Sequence, residues 1–267
     1  MSQEIKGKAQ EPKSNTPLLI IGGVLVIALI GGWYLFSTSK NGQAGKGTPT
    51  PGQTPAVAKD KGIIPPNAPP GASPPNMAGS ISAPVTLEEF ADFQCGSCAA
   101  AHPIMNEIKS LYGSRIRFIY RNNPLAIPAH DKAYEASVAA EAAGLQGKFW
   151  DMQNLLFTNQ QAWTAAPSFK AMWKEYATKI GLDVTKWEND MAGIAAKGRV
   201  DADLARGKAI GVNSTPTLYI NGSSVPYSEM TVPKLKTIID GELAKSTGAK
   251  EEPAAAPAAN AAANTSK

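Results

Sequence analysis

The chain is 267 residues long, with two cysteines, 26 basic and 22 acidic residues and a net charge of +4. Residues 84–245 carry 17 of each sign, so the surplus belongs to the two ends, and the middle offers no electrostatic footprint for nucleic acid. Two cysteines also exclude a four-cysteine zinc site.

Residues 1–16 are expected to be a short cytoplasmic segment, and 17–36 (PLLIIGGVLVIALIGGWYLF) are twenty positions without a charge. At about 1.5 Å per residue a helix of that length spans about 30 Å, the thickness of a bilayer core. Trp33 and Tyr34 near its distal end suit a membrane–water interface. A cleaved signal peptide is the alternative. Its apolar core would be shorter, about 7–15 residues, and Ser37-Thr38-Ser39 is a weak cleavage site, so an uncleaved anchor is expected. Lys6, Lys8 and Lys13 before the span and Lys40 and Lys46 after it orient it only slightly. The cysteine pair, which needs an oxidising compartment, places the N-terminus inside. Residues 37–83, rich in Gly, Pro, Ala, Thr and Gln, read as a disordered linker, and a folded domain is expected over 84–246.

Val85 to Phe93 reads as a buried strand and Ile116 to Tyr120 as a second. Between them Cys95-Gly96-Ser97-Cys98 opens a helix over Cys98 to Leu111, closed by Gly113. Strand–helix–strand of this length implies a right-handed parallel unit with the CxxC at the C-terminal end of its first strand, where open α/β sheets place their chemistry. Two thiols one turn apart can close a disulfide, and unpaired amides at the helix N-terminus lower the pKa of the first, Cys95. Glu89 lies in the strand six residues earlier. Glu88 and Glu89 point to opposite faces, so one must turn inward; alternation favours Glu89, with Asp92 as the competing inward acid. An edge strand with a surface charge is the alternative. A buried Glu89 would exchange a proton with Cys98. Pro103 falls inside the helix and is expected to kink it.

Residues 125–210 read as a helical insertion, too long for a single crossover, with Trp150, Trp163, Trp173 and Trp187 as core candidates. His130 near its start reads as structural or solvent-facing, and His102 as packed or exposed beside the CxxC helix. Thr217 to Val225 reads as a hairpin around Asn221-Gly222, the preferred type I′ pair, entered through Thr215-Pro216. A last helix is expected over Val232 to Leu243, and 247–267 read as an Ala/Pro-rich disordered tail.

Taken together, VTLEEFADFQCGSC, Pro103 and GVNSTPTLYING resemble the thioredoxin superfamily. The helical insertion, with AEAAGLQGKFWDMQNLLF, is similar to its DsbA-like branch of membrane-anchored or secreted disulfide oxidoreductases. The resemblance covers residues 84–244. It implies an α/β thioredoxin fold with a helical insertion, preceded here by one transmembrane helix. It implies that Cys95 attacks, Cys98 resolves, Glu89 is the buried carboxylate, Pro103 the kink, and Thr215-Pro216 a cis-proline loop that meets substrate. Protein thiols and disulfides would be the substrates, and a quinone-coupled membrane protein of the DsbB or VKOR kind the reoxidant, with neither cofactor nor metal. The catalytic domain would lie outside a bacterial cytoplasmic membrane and support oxidative protein folding. Gly96-Ser97 replaces the Pro-His of strongly oxidising members, so the Cys95 pKa is expected at about 6–7 rather than about 3.5. Reduction or isomerisation of disulfides is the alternative direction, and a copper site of Cys95, Cys98 and His102 the alternative class.

Overall fold

The computed structural model describes residues 62–248. Strands β1 (Asn76–Gly79), β2 (Val85–Ala91), β3 (Ile116–Asn122), β4 (Thr217–Ile220) and β5 (Ser223–Val225) form one sheet in the order β1–β3–β2–β4–β5. Only β2 and β3 run parallel, joined by helix α1 (Gly96–Tyr112); the other pairings are antiparallel. Six of the seven β2 residues are buried, as befits a central strand covered on both faces.

Helix α1 lies over the Leu87/Glu89 face with the last helix, α8 (Val232–Gly248), where Tyr112 Oη donates to Asp240 Oδ1 at 2.7 Å. The expected end of that helix at Leu243 is therefore short by five residues. Helices α2 (Ala133–Gly144), α3 (Phe149–Thr158), α4 (Gln160–Ala165), α5 (Phe169–Lys179), α6 (Val184–Ala192) and α7 (Ile194–Ile210) make up the insertion. The small side chains of α2 let it sit buried among its neighbours, and α7 covers the Glu88/Phe90 face of the sheet, with Asp203 reaching Arg121 and the Asn122 amide. Trp163, Trp173 and Trp187 are core, and Trp150 packs against it, as expected. The hairpin turns where expected, with Asn221 and Gly222 both at positive φ (47° and 81°).

Two expectations are corrected. The linker does not run to residue 83: Asn76–Gly79 pair with Tyr120–Arg117, and the segment before them buries Ala72. That arm is held by arginines rather than by apolar contacts. Arg206, Arg121 and Arg199 donate to the carbonyls of Pro69, Ala72 and Pro74, so its polar, proline-rich composition concealed it. The second correction concerns Glu88 and Glu89, which are both buried rather than one facing out. β2 has helices on each face and no solvent side.

Among the described residues no helix is long and apolar enough to cross a membrane. The expected anchor at 17–36, the segment before it, most of the linker and nearly all of the tail lie outside the described residues.

Candidate active site

β2 delivers its chain into a turn, Asp92 to Cys95, that starts α1. The Cys95 amide donates to the Asp92 carbonyl, and the Cys95 carbonyl accepts from the Cys98 and Ala99 amides, each at 3.1 Å. Both cysteines are thiols; Cys95 retains 8% exposure and Cys98 has 1%. Across the gap, Cys95 Sγ donates to the Thr215 carbonyl at 3.3 Å, and the Thr215–Pro216 peptide is cis. The sequence elements expected to meet here, the dithiol and the Thr215-Pro216 loop, do meet.

The two thiols are electrostatically unlike. The Cys95 pKa is lowered to about 5, first by the hydrogen bond from the Cys98 thiol, against the cost of burial, then by the Thr215 side chain and by the amides of Cys98 and Ser97. That is below the expected 6–7. The helix N-terminus contributes as anticipated, but the partner thiol contributes more. Burial pushes the Cys98 thiol far up, and the neighbouring Cys95 and Glu89 push it further.

Beneath them Glu89 is 3% exposed, and its pKa is raised to about 7 by burial, tempered by the charge of Lys109. Lys109 comes from the C-terminal end of α1, its ammonium 4.3 Å over the Trp150 ring and 5.2 Å over Phe118. Nothing in its local sequence marks it; its role follows from the α1 face that it shares with the thiols. Glu88, one residue earlier, faces the other way into Arg121 (2.6 Å) and Arg206 (2.7 Å), and those guanidiniums hold its pKa low despite burial.

Asp92 is fully buried too. It accepts from the Gln94 amide, the Leu125 amide and His130 Nδ1, the last at 2.6 Å, so both the competing acid and His130 serve to hold the turn that carries the cysteines against the loop after β3. His102 is buried, and its Nε2 bonds Asn154 and Asn106 at 3.0 Å each while its ring packs 5.0 Å from Phe157. Pro103 lies inside α1 on its exposed side. Two grooves lie in this region, the second of them bordered by the CxxC turn. One of about 890 Å³ runs beside the cis-proline loop past Leu125, Leu204, Val212 and Ser214, and one of about 620 Å³ lies between Gly96, Ala99 and the α3–α4 corner at Phe157 to Ala162.

A dithiol at the start of the helix that leaves a central parallel strand, a cis-proline peptide facing it and an acid buried underneath are thus brought together on a thioredoxin-type fold with a helical insertion. The chain belongs to the thioredoxin family, whose model, described as Thioredoxin, matches residues 73–241 and so takes in β1. Among solved structures it is similar to oxidised BdbD from Bacillus subtilis, with a TM-score of 0.56 and 20% identity over 66% of this chain and 98% of that one. It is also similar to the thiol-disulfide exchange protein alpha-DsbA2 from Wolbachia pipientis, with a TM-score of 0.54 and 18% identity over 63% and 87%. These share the DsbA-like form of the fold. A curated relative, the Na(+)/H(+) antiporter NhaA 1 of Mycolicibacterium gilvum, is 34% identical over 149 residues, 55% of this chain but 23% of that protein. The chain thus spans less than a quarter of that relative's length.

Proposed function

We propose that this chain is a membrane-tethered, extracytoplasmic thiol:disulfide oxidoreductase that oxidises protein thiols through Cys95 and Cys98. The observation that carries this reading is the asymmetry of the dithiol: Cys95 partly accessible and held near pKa 5, Cys98 buried and held high.

In the oxidised protein a substrate thiolate attacks Cys95 Sγ. The Cys95–Cys98 bond breaks as the mixed disulfide forms, and Cys98 leaves with the electron pair and takes a proton from Glu89. A second substrate thiolate then attacks the substrate sulfur and Cys95 leaves as a thiolate, so two electrons have passed from substrate to dithiol. Glu89, with a pKa of about 7 and so about half ionised at neutrality, takes the proton back and returns Cys98 to its thiolate for reoxidation. A quinone-coupled membrane partner of the DsbB or VKOR kind would remove the electrons. Thr215 and Pro216 offer backbone beside Cys95 to an extended substrate chain, and Pro103 would orient the first turns of α1 by removing one helix bond. A thiolate held low stabilises the reduced form, which favours the oxidising direction over reductase or isomerase work. The copper reading draws less support, because His102 Nε2 is committed to two side-chain amides.

Equilibration of the dithiol with glutathione tests the direction. A couple more oxidising than protein disulfide isomerase, whose potential is about −180 mV, supports the oxidase, and a value near the about −270 mV of thioredoxin would turn the assignment to a reductase.

A further inference from the structure

Gln160 stands at the start of α4, 9% exposed, and its amide nitrogen donates to the carbonyls of Phe93 at 2.8 Å and Cys95 at 2.9 Å. Both acceptors are carbonyls, so the orientation of the amide is forced: both of its hydrogens point at the redox turn. The corner that aims it is itself fixed. Asn159 Nδ2 donates to the Leu155 carbonyl at 2.8 Å, and the fully buried Trp163 donates to the Leu156 carbonyl at 2.7 Å. Gln160 also lines the groove of about 620 Å³ that opens beside Gly96 and Ala99.

The Cys95 carbonyl oxygen belongs to the same residue as the attacking sulfur, and its negative end opposes charge there. A donor N–H on that oxygen offsets the repulsion, and it does so more for the charged sulfur than for the neutral one. The hydrogen bonds also tie the helical insertion, through a residue 65 positions beyond Cys95, directly to the turn that carries the chemistry. We propose that Gln160 is a positioning residue for the dithiol: it fixes the redox turn to the helical insertion and favours the Cys95 thiolate through the dipole it turns on the Cys95 carbonyl. This deepens the oxidoreductase reading and rests on it for its meaning in exchange.

The test uses Gln160→Met, which keeps the length and loses the donor, and Gln160→Glu, which at neutral pH turns a charge on the same carbonyls. Thiolate absorbance against pH, read on the reduced protein, needs no substrate. A single neutral hydrogen bond changes an equilibrium about three- to tenfold. Gln160→Met is therefore expected to lower the Cys95 thiolate-to-thiol ratio by that factor and to make the glutathione equilibrium less oxidising by the same factor, with Gln160→Glu shifting both further. A merely structural bond would lower the urea midpoint in both variants and leave the titration and the equilibrium where they are, which would overturn the proposal. If Gln160→Met fails to fold, the Gln160→Glu titration decides alone, and an unmoved Cys95 sinks the idea. Should the wild-type protein exchange with no disulfide at all, the oxidoreductase reading fails, while the thiolate titration still reads Gln160.

Discussion

Glu88 and Glu89 are neighbours in one strand, equally buried, and the fold treats them in opposite ways. Glu88 stays charged because two guanidiniums meet it, whereas among the described residues Glu89 has only a lysine nearby and no direct ion pair, so burial wins and its pKa stands at about 7. The sign for stability follows. An unfolded glutamate titrates near 4.5, so a folded value of about 7 means that the native state holds the proton longer. Its contribution is intact below pH 4.5, declines between there and pH 7, and is lost above, a difference of about 3 kcal/mol. Glu89→Gln should therefore raise stability at pH 8 by roughly that amount and leave it little changed at pH 4, measured by urea unfolding of the reduced protein. The same variant should slow the step that deprotonates Cys98 by about a hundredfold and remove the rise in that rate through pH 7. A variant that is neither more stable at pH 8 nor slower would show that Glu89 takes no part. The division of labour between the thiols is checked separately. Cys98→Ala should trap substrates as mixed disulfides on Cys95, and Cys95→Ser should trap none, read on non-reducing gels. Adducts through Cys98 would reverse the assignment. Attack by Cys95 on a small disulfide should lose half its rate near pH 5, where its thiolate is protonated.

At the scale of elements, what the sequence made legible was what depends on near neighbours. The hairpin was readable because Asn221-Gly222 suits positive φ at both positions, and the CxxC helix because its apolar spacing and Gly113 mark its course. The β1 arm was not readable, because its partners are side chains far along the chain: the Ala72 amide donates to Asp203, and Asn76 donates to Glu141. Gln160 and Lys109 were missed for the same reason. The arm's fit is close. Gly71 has φ +76°, and a Cβ there would lie 2.6 Å from Arg121 Nη1. A domain that begins at residue 84 should then be markedly less stable than one that begins at 62, since it bares the β3 edge and leaves the Asp203–Arg121 pair without its cover. Arg206→Ala in the longer chain should cost about 3 kcal/mol by leaving buried Glu88 with one arginine. Equal urea midpoints for the two domain lengths would make the arm a passive linker after all.

For the whole molecule, the direction of chemistry depends on where the domain sits, and the span at 17–36 is what would place it. Under the proposed topology the positive segment before the span stays inside and the dithiol works in the oxidising compartment. The asymmetry of the thiols makes this measurable without a structural probe of the membrane. After mild reduction of intact cells, a membrane-impermeant maleimide should react at Cys95, which is partly accessible and ionised at neutral pH, and not at Cys98, which is buried and protonated. Mass analysis should find one adduct per chain, retained in Cys98→Ala and absent in Cys95→Ser. Protection of Cys95 until the cells are lysed would put the domain on the cytoplasmic side. There the same low thiolate would meet a reducing pool, the dithiol would rest reduced, and a role in oxidative folding would be untenable.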